Sequence, residues 1–114
     1  AAREGVSVIA LERDENIGGM PVNGRVVGYY YGARGGSFEE LDREALERQA
    51  LFAGARGETP DLRQTIMTEY FDRYGVDLIG GATVTGVYFE DDRAVGVRVW
   101  VDGQYKNIHS KMFL

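Results

Sequence analysis

Two hydrophobic periods divide this chain. Val6 to Leu11 is apolar at every position but Ser7, a run that suits a central parallel strand covered on both faces. AAREG before it reads as the last turn of a helix closed by Gly5. From Phe38 to about Phe52 the period becomes helical. Phe38, Leu41, Ala45 and Phe52 fall near one face, and Glu40, Arg43, Glu44, Glu47 and Arg48 occupy the rest as a solvated charged surface. Glu39 with Arg43 and Glu44 with Arg48 are spaced as i,i+4 pairs. Ser37 and Glu40 form S-x-x-E, which predicts a capping box. Gly54 and Gly57 break this helix.

A second helix is announced by Thr59, Pro60 and Asp61, as cap, first turn and acid at the positive end of the dipole. Leu62, Ile66, Met67, Tyr70, Phe71 and Tyr74 make a wide apolar stripe, read as packing on the sheet. Gly75 ends the helix in a left-handed conformation. Val76 to Ile79 is a short strand predicted to run parallel to Val6–Leu11, reached by a long crossover carrying both helices, and Gly80-Gly81 breaks it. Beyond Ala82 the period is two. Thr83–Glu90, Ala94–Val101 and Gln104–His109 read as an antiparallel meander, with Val95, Val97, Val99 and Val101 alternating strictly. Asp91-Asp92 supplies the first turn. Asp102-Gly103 is a strong two-residue hairpin signal. The predicted fold class is α/β, with a short parallel sheet, two helices and a three-stranded meander.

The 114 residues suffice for one domain, and a net charge of −5 offers no basic surface for nucleic acid or an anionic membrane. The chain has no Cys, so it has no disulfide, thiol redox pair or Cys-containing zinc site. The lone His109 lacks the neighbours of a metal ligand and reads as a strand residue. No apolar run reaches the ~20 residues of a membrane helix, and no signal-peptide pattern is present. The expected setting is cytoplasmic.

Candidate chemistry centres on Glu12, where the first strand ends. In open parallel sheets, ligands bind beyond the carboxyl ends of the strands. A carboxylate there can accept both hydroxyls of a ribose; the plainer reading is a surface Glu capping a strand. Residues 21 to 36 form a long Gly- and Tyr-rich loop. Its Tyr29, Tyr30 and Tyr31 either border a ligand or pack the loop down. Arg34 with Gly35 and Gly36 before a helix either assists an anion or simply eases entry to the helix.

A helix-ending glycine, an apolar strand, Glu12-Arg13 and then Ile17-Gly18-Gly19-Met20 resemble the second strand and following loop of glutathione-reductase-like flavoproteins. More narrowly, they resemble the FAD-dependent oxidoreductase family with an LGGM-type loop. The order GVDLI, TVTGVYFEDDRAVGVRV, hairpin and KMFL is similar to the same family. The resemblance implies that Glu12 holds the adenosine ribose, with Arg13 near the adenosine. It implies that Gly18, Gly19 and Met20 pass near the pyrophosphate and flavin, and that Val84 meets adenine through its backbone. It also implies that residues 1–114 are one partial Rossmann-like FAD/NAD(P)-binding domain. The chain contains no G-x-G-x-x-G and ends ahead of the family's Ala-Thr-Gly. The expectation is therefore a piece of a larger enzyme that acts on a small molecule through FAD, the isolated piece being inactive and without cofactor.

No Ser/His/Asp set, Cys/His pair or metal cluster is visible, and no catalytic residue is named. The alternatives are a non-catalytic α/β structural or interaction domain, and a flavoprotein-like fold binding another adenine nucleotide. Without an upstream neighbour, the apolar edge of Val6–Leu11 predicts pairing with another copy or local rearrangement.

Overall fold

The computed structural model describes residues 1–24, 35–51 and 62–114. A 3-10 turn over Ala2–Glu4 is followed by β1 (Val8–Leu11), the single helical turn α1 (Gly19–Val22), α2 (Gly36–Ala50) and α3 (Arg63–Tyr74). Then come β2 (Val76–Ile79), β3 (Thr83–Glu90), β4 (Arg93–Val101) and β5 (Gln104–His109). The class is α/β as expected. β1 and β2 form a two-stranded parallel sheet, and β3-β4-β5 a three-stranded antiparallel one. The expectations on Tyr29, Tyr30, Tyr31, Arg34, Phe52, Gly54, Gly57, Thr59, Pro60 and Asp61 lie outside the described residues.

The chain divides into two compact units. One comprises Ala1–Ser7 with Asn16–Val76, the other Val8–Glu15 with Asp77–Leu114. In the first, α2 packs on α3 around Ala45 and Ile66, both fully buried. Gly75 closes α3 at φ 63, ψ 44, and Gly5 closes the opening turn at φ 79, ψ 15. These are the left-handed conformations that glycine adopts without a Cβ clash.

The predicted capping box does not form. Gly35 and Gly36, at φ 107 and 75, start α2 so early that Ser37 already lies inside its first turn. No side chain caps the helix. Glu40 instead accepts a hydrogen bond from Arg3 Nη1 at 2.7 Å.

The charged face of α2 is likewise not wholly solvated. Arg48 reaches Glu44, as its spacing predicts, but also grips Glu69 of α3 through Nη1 at 3.0 Å and Nη2 at 2.7 Å. Tyr70 donates to Glu44, and Arg63 donates to Asp42. The other spaced pair, Glu39 with Arg43, makes no ion pair among the described residues.

In the second unit, Ala82, Val97, Val99 and Val101 are buried, and Leu11, Ile79, Ile108 and Phe113 pack against them. Asp102 and Gly103 both take positive φ, 52° and 71°. That is the type I′ hairpin geometry, whose twist matches the strands it joins. Val101 therefore faces Gln104 across the turn. Glu90 pairs with Arg93 around Asp91-Asp92, where Asp91 alone of the two has positive φ.

The valine alternation breaks at one place. Tyr88 pairs with Gly96 and Phe89 with Ala94, so the register shifts at Val95, which is only half-buried while Val97 to Val101 seal the core. The expectation for Val6–Leu11 is corrected as well. The strand starts at Val8, with Val6 57% and Ile9 46% exposed. A run covered on both faces needs a layer on each side. Among the described residues, the face of β1 that carries Ile9 has no such layer.

Candidate functional site

The strand-end acid is placed by two strands and a turn. Glu12 directly follows β1, its N–H donating to Ile79 O of β2 at 3.0 Å. Its own carbonyl accepts from Ala82 N at 2.8 Å, and the Asp14 carbonyl accepts from Gly81 N at 3.2 Å. The segment after β1 is thus laced to the turn between β2 and β3. Glu12 is half-buried. Its Oε1 accepts the Asp14 backbone N–H at 3.1 Å, and its side chain has no other hydrogen-bond partner among the described residues. An ionised carboxylate offers four lone-pair sites and accepts only. With one site engaged, Glu12 keeps the capacity to receive two hydroxyl donors.

Arg13 points outward, 78% exposed, its Nε 3.9 Å from Asp14 Oδ1. Val84 is the second residue of β3, opposite Val99, and is 46% exposed. It stands two positions past Ala82, whose N–H holds the Glu12 carbonyl. Glu12, Arg13 and Val84 therefore belong to one unit.

Gly18, Gly19 and Met20 belong to the other unit, and the two glycines differ. At Gly18, φ is 118°, and a Cβ would lie 2.2 Å from Val22 Cγ2 and 2.8 Å from Met67 Cε. Glycine is required there by the close approach of Val22 of α1 and Met67 of α3. At Gly19, φ is 52° and a Cβ would meet nothing within 4 Å. Gly19 is the one that leaves room beside the backbone. Met20 is 65% exposed.

Among the described residues, a dense polar cluster lies between α2 and α3. Tyr70's hydrogen bond, joined by Arg48, holds the Glu44 carboxyl below its ordinary value, and the same bond raises the Tyr70 phenol. Arg48 likewise lowers Glu69. Arg3, donating to Tyr74 from Nε at 3.4 Å, lowers that phenol. These groups satisfy one another across the helix pair, which suits adhesion better than chemistry on a ligand.

No group of His, Cys, Asp and Glu among the described residues could hold a metal ion. No described helix is long and apolar enough to cross a membrane.

What the sequence reading missed is the role of Gly80, Gly81 and Ala82. The Gly-Gly pair signals a turn, yet nothing local ties that turn to Glu12, because the bonds close only in the fold. Among known proteins, no family model matches the chain, and no curated protein matches it.

Proposed function

We propose that this chain is the adenosine-binding segment of an FAD-dependent oxidoreductase, with Glu12 accepting the two ribose hydroxyls. One observation supports the reading above the others. A carboxylate with spare acceptor capacity stands at the end of a parallel strand, held there by backbone bonds on both sides. That is the position where open parallel sheets bind ligands.

The donor chemistry fits FAD: a vicinal diol brings two O–H donors to an acceptor-only group. Val84, in the same compact unit as Glu12, offers backbone to the adenine. When bound, FAD supplies the electron or hydride chemistry on a small-molecule substrate. The chain's residues bind and orient it.

The test uses the full-length polypeptide that carries this chain. Purified protein is expected to hold flavin, visible by its absorbance. Glu12→Ala is expected to weaken FAD binding by about tenfold or more, the loss that follows from removing a charge-assisted hydrogen bond. A colourless protein that refuses added FAD would instead support a structural or interaction domain.

A further inference from the structure

We propose that the Gly80-Gly81 turn is a positioning element for the Glu12 carboxylate, and that it thereby sets the preference of this site for adenosine nucleotides with an intact ribose diol over their 2′-deoxy counterparts. The inference rests on the ribose-binding reading of Glu12 and carries it one step outward, to the residues that aim the acid.

The geometry is a short chain of bonds. Gly81 N–H holds the Asp14 carbonyl at 3.2 Å. The N–H of Asp14 in turn donates to Glu12 Oε1 at 3.1 Å. Glu12 itself is pinned at both backbone ends, by Ile79 O at 3.0 Å and Ala82 N at 2.8 Å. The turn therefore grips the same peptide stretch whose amide orients the carboxylate. The two glycines serve that grip differently. Gly81 sits at φ +63, and a Cβ at Gly80 would lie 3.3 Å from Glu15 O and 3.5 Å from Asp14 O. A side chain at position 80 presses on backbone that cannot fold away as a flexible side chain could. A Cβ makes the Glu15 carbonyl give by a few tenths of an ångström, and the larger branched side chain of valine adds bulk against the same Asp14–Glu15 backbone whose Asp14 amide orients Glu12. All of these residues lie in one compact unit.

Gly103 provides a matched control. It has φ +71 in the same unit, but a Cβ there meets nothing within 4 Å. Gly103→Ala strains the β4–β5 turn without touching residues 12–15.

The experiment measures ADP and 2′-deoxy-ADP affinity on the flavin-free full-length protein by titration calorimetry. Wild type is expected to favour ADP by about tenfold, as one charge-assisted hydrogen bond implies. Gly80→Val is expected to bring that ratio to about twofold or less as the carboxylate loses its alignment. Gly103→Ala should keep the wild-type ratio even where it lowers melting temperature. If the valine variant does not fold, Gly80→Ala takes its place, with a ratio between the two. An unchanged ratio in the position-80 variant overturns this proposal and leaves the Glu12 reading standing. So does an equal loss of both affinities with the ratio kept, which is what a merely structural role would produce. A wild-type protein that does not favour ADP overturns the Glu12 reading itself, and this inference with it.

Discussion

Between α2 and α3 the binding groups are mostly charged, whereas in the meander they are aliphatic. The helix pair buries one Ala and one Ile completely and surrounds them with Arg48–Glu69, Arg48–Glu44, Arg63–Asp42 and Tyr70–Glu44 links. The meander buries Val97, Val99 and Val101 beside Ala82, and no buried residue in either unit is polar or charged among those described. Ala45 and Ile66 offer little apolar area. Partly buried, multidentate ion pairs supply the specificity that area cannot. The strands need no such help, because a period of two delivers every second valine to the same face. One region is thus sensitive to proton activity and the other to packing volume.

The largest test of that contrast places a charge in the meander. Val99 is fully buried, so Val99→Asp is expected to unfold the second unit, seen as loss of β-sheet circular dichroism. An unpaired carboxylate there has no partner to offset its desolvation. Retained sheet signal would show that the valine layer is not the core.

Truncation of the helical counterpart comes next. Ile66→Ala is expected to cost about 2–5 kcal/mol, measured by urea denaturation. A cost near zero would mean that the ionic links alone hold α2 to α3.

Acid separates the two regions more gently. Glu44 and Glu69 are both held below the ordinary carboxyl value of 4.5. A depressed carboxyl contributes stability that is fully present above that ordinary value and is lost as pH falls through the lowered one. Amide exchange in α3 is therefore expected to accelerate below about pH 4.5 before exchange in β4 does. Simultaneous acceleration in both would erase the distinction.

The smallest effect belongs to the surface. Lys106 meets Asp102 at 3.2 Å with both side chains well exposed. Lys106→Ala should change stability by less than about 1 kcal/mol, within the range of exposed pairs, in the same urea assay.

Much of the meander was legible in the residues. Strand alternation and the Asp102-Gly103 turn are local properties, decided by neighbours two or three positions apart. Gly75 was readable for the same reason: its left-handed geometry depends on the helix it ends. Val95 was not. Its departure from the core comes from a register shift at Phe89, and register is a relation between strands. Arg48 reads as solvated on its own helix, because its partner Glu69 sits on another. Ser37 reads as a cap only while two positive-φ glycines upstream of it are not seen to start the helix.

By itself, the order of residues determined the α/β class, the parallel and antiparallel pairs of strands, and the acid at the end of β1. Local periodicity and glycine chemistry are enough for these. Only the tertiary structure decided which charges bridge α2 to α3, which of the paired glycines leaves open space, and that a turn after β2 holds the backbone around Glu12. Those outcomes depend on groups far apart in the chain, and their contacts exist only once the chain has closed on itself.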